Sequence, residues 1–219
     1  MIRSMSKQKT FFQGAYDLGE QRVPAGYGWP MDVDSQQVEF LDKIKQSTSG
    51  GNALDIGCGQ GRHTFMFANS GFDAYGIDFL ERPIKEAREQ AKTDGSKNVH
   101  FTVMDVLALE FADDFFDVIL DWSVIDHIYP RDWPTYVTNI DRVLKPGGFL
   151  VLTELSAKDA RITDPADNAR DGANYDHFFR EDELTALFSD TFETVEIIHN
   201  ELHTTSHFAM INALLRKHG

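Results

Sequence analysis

Ala53-Leu54-Asp55-Ile56-Gly57-Cys58-Gly59-Gln60-Gly61-Arg62 joins a short apolar run to a glycine cluster, and a helical pattern follows from Arg62 to about Ser70. A strand that feeds a helix through a glycine-rich turn opens a βαβ unit. Glycines let the backbone approach a ligand closely, since no Cβ stands in the way. The helix N-terminus that follows, near Gly61-Arg62, offers free N–H groups to an anion. In open α/β sheets ligands bind beyond the carboxyl ends of the strands. This turn is therefore the first candidate for a binding site.

The same alternation continues outward. Upstream, Val38, Leu41 and Ile44 recur at helical spacing after Asp34 or Ser35 as the cap, and Gly50-Gly51 closes that helix. Downstream, Ala74 to Ile77 reads as a strand, and Pro83 opens a helix with Ile84, Ala87 and Ala91 on one face and Gly95 after its end. Val99 to Met104 is the third strand. Phe116 to Leu120 is nearly all apolar, as expected of a strand covered on both faces. Asp132-Trp133-Pro134 opens a helix to Leu144, Pro146-Gly147-Gly148 reads as a turn, and Phe149 to Thr153 is the fifth strand. Leu184, Leu187 and Phe188 mark a last helix. Val195 to Leu202 and Phe208 to Leu215 read as two strands joined by a polar turn at Thr204–Ser206, which makes them antiparallel. The pattern predicts an α/β fold with a parallel sheet and helices on both faces.

The chain has 219 residues, 42% apolar and 26% charged, the composition of an ordinary globular protein. No apolar run approaches the roughly 18 residues of a membrane span. Met1 to Thr10 is polar with no apolar signal core, and Cys58 is the single cysteine, so the expected setting is the reducing cytoplasm. The net charge of −14 argues against a large nucleic-acid footprint and against an anionic membrane surface. Residues 1–33 form an arm apart from the domain expected over 34–219. Between Phe11 and Pro30 it interleaves Phe11, Phe12, Tyr16, Tyr27 and Trp29 with glycines and prolines. Glycine and proline at that density break regular structure, yet the aromatics need cover.

Two further carboxylates end strands. Asp78 closes the second strand, 23 residues after Asp55. A carboxylate there can accept two hydrogen bonds from a ribose diol. Asp105 closes the third strand and is placed to accept from an exocyclic amine such as that of adenine. An NAD-binding Gly-x-Gly-x-x-Gly turn fails in both registers, because Arg62 and Thr64 stand where its third glycine belongs. An NAD-dependent oxidoreductase is therefore the weaker alternative.

Asp55-x-Gly57-x-Gly59-x-Gly61, Asp78, Asp105, Phe116-Asp117-Val118-Ile119 and Leu144-Lys145-Pro146-Gly147-Gly148 together resemble the ordered motifs of class I S-adenosylmethionine (SAM)-dependent methyltransferases. The resemblance spans roughly residues 35–155. It implies a doubly wound, mostly parallel seven-stranded sheet with an antiparallel C-terminal strand, and SAM as the cofactor. It further implies that Asp55, Gly57, Cys58 and Gly59 line the methionine part. Asp78 would take the ribose hydroxyls, Phe79 would pack on adenine, and Asp105 with Val106 would read the adenine edge. Asp121 and Trp122 would border the transferring methyl, where an aromatic face suits the sulfonium cation.

The methyl acceptor expected is a small molecule offering O, N or S. Asp121-Trp122-Ser123 stands where enzymes acting on planar amide-like nitrogens carry a Pro-Pro-Tyr signature. Glu154-Leu155 replaces the second carboxylate pair of the metal-dependent catechol type, so no metal is expected. His127, after the fourth strand, is the candidate general base, since neutral imidazole suits deprotonation of a hydroxyl or thiol. Tyr16, Tyr27 and Trp29 of the arm, acting as a lid, and His177 before the last helix are candidate acceptor contacts. A SAM-binding sensor or subunit without transferase activity shares all these motifs. The oligomeric state is not legible in the sequence.

Overall fold

The computed structural model describes residues 9–14, 35–48, 50–159, 169–170, 174–200 and 209–219. A helical turn covers residues 9–14. The main elements are α1 (Ser35–Lys45), β1 (Gly51–Ile56), α2 (Arg62–Asn69), β2 (Phe72–Asp78), α3 (Glu81–Asp94), β3 (Val99–Val103), β4 (Phe116–Trp122), α4 (Trp133–Val143), β5 (Leu144–Leu155), α5 (Glu181–Phe188), β6 (Phe192–Asn200) and β7 (Met210–Lys217). A short ribbon pairs Ala169–Arg170 with Asn174–Tyr175. Among the described residues no helix is long and apolar enough to cross a membrane.

The sheet has seven strands in the order β3-β2-β1-β4-β5-β7-β6. Pairings from β3 through β5 are parallel, and β7 runs antiparallel to both β5 and β6. The doubly wound reading therefore holds, with β6 and β7 forming the antiparallel end. The chain winds outward from β1 in one direction through β2 and β3, and in the other through β4 and β5. The crevice at such a reversal, beyond the strand ends, is where ligands bind in open α/β sheets. The turn 57–61 lies there.

Two apolar layers flank the sheet. Phe40, Leu41 and Ile44 of α1 and Phe67 of α2 pack with Ala53, Ala74, Val118, Leu120, Val151 and Leu214 on one face. Tyr136, Ile140 and Val143 of α4 and Leu184 and Phe188 of α5 pack with Leu54, Ile56, Ile119 and Leu152 on the other. α3 adds Ile84, Ala87 and Ala91 around Cys58 and Phe101. Pro83 sits inside the first turn of α3, and Gly95 closes that helix in the left-handed conformation at φ 70°.

Two expectations change. Val38 is 42% exposed, while Gln37, Phe40, Leu41 and Ile44 face the sheet. At about 100° per residue, each step of three drifts back 60°, so Val38 lies a third of a turn from Ile44. Pro146-Gly147-Gly148 does not end a strand; β5 runs through it. The ladder with β4 jumps from Phe116↔Leu144 to Val118↔Phe149, so the extra β5 residues bulge out of register. Lys145 Nζ anchors that bulge to Asp117 Oδ2 at 2.8 Å. The polar turn expected at Thr204–Ser206 lies outside the described residues.

Candidate active site

The turn after β1 is built by carboxylates that point inward. Asp55 is 1% exposed, and its Oδ2 accepts from Thr64 N at 2.9 Å and Thr64 Oγ1 at 2.7 Å. Through that oxygen it pins the first turn of α2 to β1. Burial pushes its pKa up to about 7, against the Thr64 hydrogen bonds and the charge of Arg62. Gly57, Gly59 and Gly61 all take left-handed φ, at 64°, 53° and 88°. A Cβ on Gly57 would lie 2.3 Å from Val124 Cγ2, so this glycine also admits the loop after β4. Cys58 contributes backbone only. Its N–H donates to Ile77 O at 2.8 Å, and its thiol is buried beside Ile84, Ala87 and Phe101, where burial pushes its pKa up.

Asp78 ends β2 with Oδ2 accepting from Gly59 N at 3.1 Å and Oδ1 from Leu80 N at 2.8 Å. It thereby couples the glycine turn to the end of β2. Burial raises its pKa to about 6, opposed by those two N–H groups and by Lys9. Asp105 caps the short 3₁₀ turn Val106–Ala108 through Leu107 N at 2.9 Å. Val106 O accepts from Asn139 Nδ2 at 3.1 Å, tying that turn to α4. Phe79 follows Asp78, and its ring meets the Phe12 ring edge-on with centroids 6.0 Å apart. The ring of Trp122, ending β4, carries the Arg62 guanidinium at 4.1 Å, so a cation already lies over it.

Asp121 departs most from expectation. It is fully buried, accepting from Val124 N at 2.8 Å, Ile125 N at 3.1 Å and Tyr136 OH at 2.6 Å. It shapes the loop after β4 from below, its carboxylate engaged by that loop and by α4. Burial lifts its pKa to about 7. Beside it Glu154 of β5 is pushed well above the carboxylate range by burial and by Asp121 and Asp126, which favours its protonated form.

His127 lies in the 3₁₀ turn Ile125–His127 that this loop forms. Its Nδ1 is 3.1 Å from Asp176 Oδ1 and 3.2 Å from Tyr175 O, and its Nε2 is 3.6 Å from Asp126 Oδ1. Burial alone would lower its pKa; Asp126, Asp176 and the Tyr175 carbonyl outweigh that and raise it to about 9. These partners favour the charged imidazole over the neutral form expected of a general base. His177 does not line an open pocket either. It is 8% exposed, packed between Trp133 and Phe179, with Nε2 3.0 Å from Glu183 Oε1. Tyr16, Tyr27 and Trp29 lie outside the described residues. From the arm, Phe12 reaches the site, its ring edge-on to His127 at 5.1 Å.

The strand ends thus bring together the glycine turn, Asp78, Phe79, Asp105, Trp122 and His127. They add Phe12, Arg62, Asp126 and Asp176. Residues 47–209 match the family of methyltransferase domains. The chain belongs to that family, in its class I, Rossmann-like form. Among relatives of the methyltransferase, the 2-methyl-6-phytyl-1,4-hydroquinone methyltransferase of Synechocystis sp. is 35% identical over 156 residues, covering 67% of this chain and 48% of the relative. A ubiquinone biosynthesis O-methyltransferase of Sinorhizobium fredii is 32% identical over 133 residues, covering 61% and 52%. The chain spans about half the length of these curated relatives. Among solved structures, a Burkholderia thailandensis 1,6-didemethyltoxoflavin-N1-methyltransferase, with 1,6-didemethyltoxoflavin and S-adenosylhomocysteine bound, superposes with a TM-score of 0.74 at 20% identity. That match covers 98% of this chain and 89% of the other. A Methanosarcina mazei SAM-dependent methyltransferase gives 0.69 at 24% identity, covering 85% and 99%.

Proposed function

We propose that this chain transfers the methyl group of SAM to an O, N or S atom of a small-molecule acceptor bound across the strand ends. The observation that carries this reading is the set of donors and acceptors at the β1/β4 reversal in a chain of the methyltransferase family. An ionised carboxylate has about four lone-pair sites. Asp78 spends two of them on backbone N–H groups, so two remain for the vicinal hydroxyls of a ribose. Asp105 spends one on Leu107 N and keeps capacity for an amine. Phe79 gives an apolar wall for adenine, and the backbone of Gly57 to Gly59 gives one for the methionine part. SAM when bound supplies an electrophilic methyl on a sulfonium. The protein contributes positioning, for which effective molarities can reach about 10⁵ M.

The helical turn 9–14 serves in this reading as a cover for the site, because Phe12 rests against both Phe79 and His127. The net charge of −14 supports a small acceptor over nucleic acid, and the absence of a membrane-crossing helix among the described residues fits a cytoplasmic setting.

Calorimetry with SAM and S-adenosylhomocysteine tests the cofactor, with micromolar binding expected, about −8 kcal/mol. Asp78→Ala should weaken it at least tenfold. Release of S-adenosylhomocysteine from SAM, in the presence of a hydroquinone, a catechol or ethanolamine, tests transfer. Tight NAD binding without SAM heat would overturn the reading, and SAM binding with no turnover on any acceptor would favour a sensor or subunit.

A further inference from the structure

The turn that follows β4 begins at Ser123, whose φ of 58° is a conformation that L-residues rarely occupy. The next three backbone N–H groups then point into the fold, onto two buried carboxyl groups. Val124 N donates to Asp121 Oδ1 at 2.8 Å, Ile125 N to Asp121 Oδ2 at 3.1 Å, and Asp126 N to Glu154 Oε2 at 3.4 Å. Asp121 pairs with Leu152 in the sheet, so Glu154, two residues on, emerges on the same face just beyond the end of β4. Both acids are fully buried. The turn they hold is part of the site. Val124 fills the space over Gly57, and His127 at its far end meets the Phe12 ring.

The two carboxyl groups also lie within hydrogen-bonding reach of each other. Among the described residues no N–H or hydroxyl donates to Glu154 Oε1, which is buried. Two ionised carboxylates offer acceptors only, so a bond between them needs a proton on one. The elements around the pair bring little else to neutralise it. α4 supplies the Tyr136 hydroxyl, 2.6 Å from Asp121 Oδ2. The turn itself supplies Asp126, with His127 beyond it, and the segment before α5 supplies Asp176 on the other side of that imidazole. β7 lays Ile211 against Glu154, and α5 adds Leu184 and Phe188 to the same layer. Burial is the main cause that raises both acids, Asp121 to about 7 and Glu154 well above the carboxylate range. Asp121 therefore ionises first and the remaining proton stays on Glu154.

We propose that Glu154 is a positioning residue for the cofactor site: as a neutral carboxylic acid it donates its proton to Asp121, and the joined pair latches the turn 123–127 against the glycine turn. This rests on the methyltransferase reading. One proton satisfies the whole arrangement. Glu154 Oε1–H serves Asp121, and Glu154 Oε2 takes Asp126 N. Asp121 Oδ1 takes Val124 N, and its Oδ2 takes Ile125 N and the Tyr136 hydroxyl. The pair then carries a single negative charge, spread over three N–H groups and a phenol. Loss of the proton to solvent would set two like charges side by side in a site without water, and the turn they hold would be released. The latch acts through the backbone of residues 124–126 and touches no reacting atom.

Infrared spectroscopy of the full chain, with and without carboxyl-labelled ¹³C-glutamate, tests the proton directly. Ordinary glutamates ionise near about pH 4, so at pH 8 a protonated-carboxyl stretch that moves with the label should belong to Glu154 and vanish in Glu154→Gln. Absence of that band in the wild type overturns the proposal without any variant having to fold. S-adenosylhomocysteine affinity at pH 7 tests the positioning. Glu154→Gln keeps an N–H donor for Asp121 and cannot ionise, so it should bind within about twofold of the wild type, whereas Glu154→Leu, which has no donor, should bind at least about fivefold more weakly. A Gln variant as weak as the Leu variant would mean that an ionised Glu154 is required, and a Leu variant as tight as the wild type would mean that the pair does not hold the turn; either result overturns the proposal. Failure of S-adenosylhomocysteine to bind the wild type would instead sink the methyltransferase reading. The infrared band, and amide resonances of Val124, Ile125 and Asp126 that stay in place in Glu154→Gln and move in Glu154→Leu, would still decide the latch.

Discussion

The ring of Phe101 occupies the space that two side chains would need, and this sets up a quantitative test of the glycine turn. Gly61 caps α2 at φ 88°. A Cβ placed there would lie 2.6 Å from both Cε1 and Cζ of Phe101. A left-handed conformation costs an L-residue about 1–2 kcal/mol, and overpacking a filled site typically adds about 1–3 kcal/mol. Gly61→Ala should therefore destabilise the fold by roughly 2–5 kcal/mol. Gly76, the β2 neighbour of Phe101, isolates the steric part because it has no positive φ. Its Cβ would meet Phe101 Cδ1 at 2.7 Å and Thr64 Oγ1 at 2.6 Å. Since Thr64 Oγ1 donates to Asp55, Gly76→Ala also pushes on the pin between β1 and α2.

Urea unfolding of both variants, alone and combined with Phe101→Leu, separates the two costs as a double-mutant cycle. Phe101→Leu should remove only a minor part of the Gly76→Ala penalty, because the Thr64 Oγ1 contact and a Cδ atom at residue 101 both remain. For Gly61→Ala it should leave about 1–2 kcal/mol, the backbone share. A Gly61→Ala loss under about 1 kcal/mol, or no coupling between either alanine and Leu at 101, would refute the view that this turn is shaped by the Phe101 ring and by left-handed backbone.

Three further outcomes are expected. Tyr136→Phe removes the side-chain hydroxyl that donates to Asp121 and should cost about 1–3 kcal/mol in urea melts, with S-adenosylhomocysteine affinity unchanged. Asp55 has its pKa raised from 3.8 to about 7, so the folded state holds a proton that the unfolded chain has lost. That contribution to stability is complete below about pH 4 and fades as pH rises through 7; Asp55→Asn, which keeps an acceptor for Thr64, should flatten the decline in urea midpoint between pH 4.5 and 7.5. His127 is raised from 6.5 to about 9, so its contribution is lost between those values as pH rises. A tenfold change in proton affinity is 1.36 kcal/mol, so His127→Gln should remove a slope worth up to about 3 kcal/mol across that window.

Fold legibility followed how closely burial tracks local pattern. β4 was clear because helices cover both of its faces, and Phe116 to Leu120 is apolar but for Asp117. α3 was clear because Ile84, Ala87 and Ala91 lie on one stripe ahead of a left-handed Gly95. β5 was misread because a Pro-Gly-Gly run reads locally as a chain reversal. Only pairing with β4, and the Lys145–Asp117 anchor, shows that the strand bulges and continues. α1 was placed correctly but turned wrongly. Its sheet-facing residues include Gln37, whose Nε2 donates to Thr153 Oγ1 at 2.8 Å, and no apolar count finds a buried glutamine.

The site divides in the same way. Strand side chains alternate faces, so Asp121 and Trp122 point to opposite sides of the sheet. Val118 and Leu120 pack toward α1 and α2, and Ile119 packs toward α4. Asp121 must then join Ile119 on the α4 side, where Tyr136 meets it, while Trp122 returns to the α2 side beneath Arg62. Asp55 is subtler. A carboxylate next to a glycine turn can face a ligand or the following helix, and here Thr64, two residues into α2, engages one of its oxygens. Asp176 differs in kind. Asp126-His127 and Asp176-His177 are visible as two Asp-His pairs, yet nothing local shows that the carboxylate of the second serves the imidazole of the first. That pairing exists because the segment after β5 folds back over the end of β4, giving His177 N to Asp126 O and Asp176 to His127. The charge state of His127 is therefore a property of the tertiary fold. A substitution that loosens the 174–177 segment should change the chemistry at residue 127 without touching it.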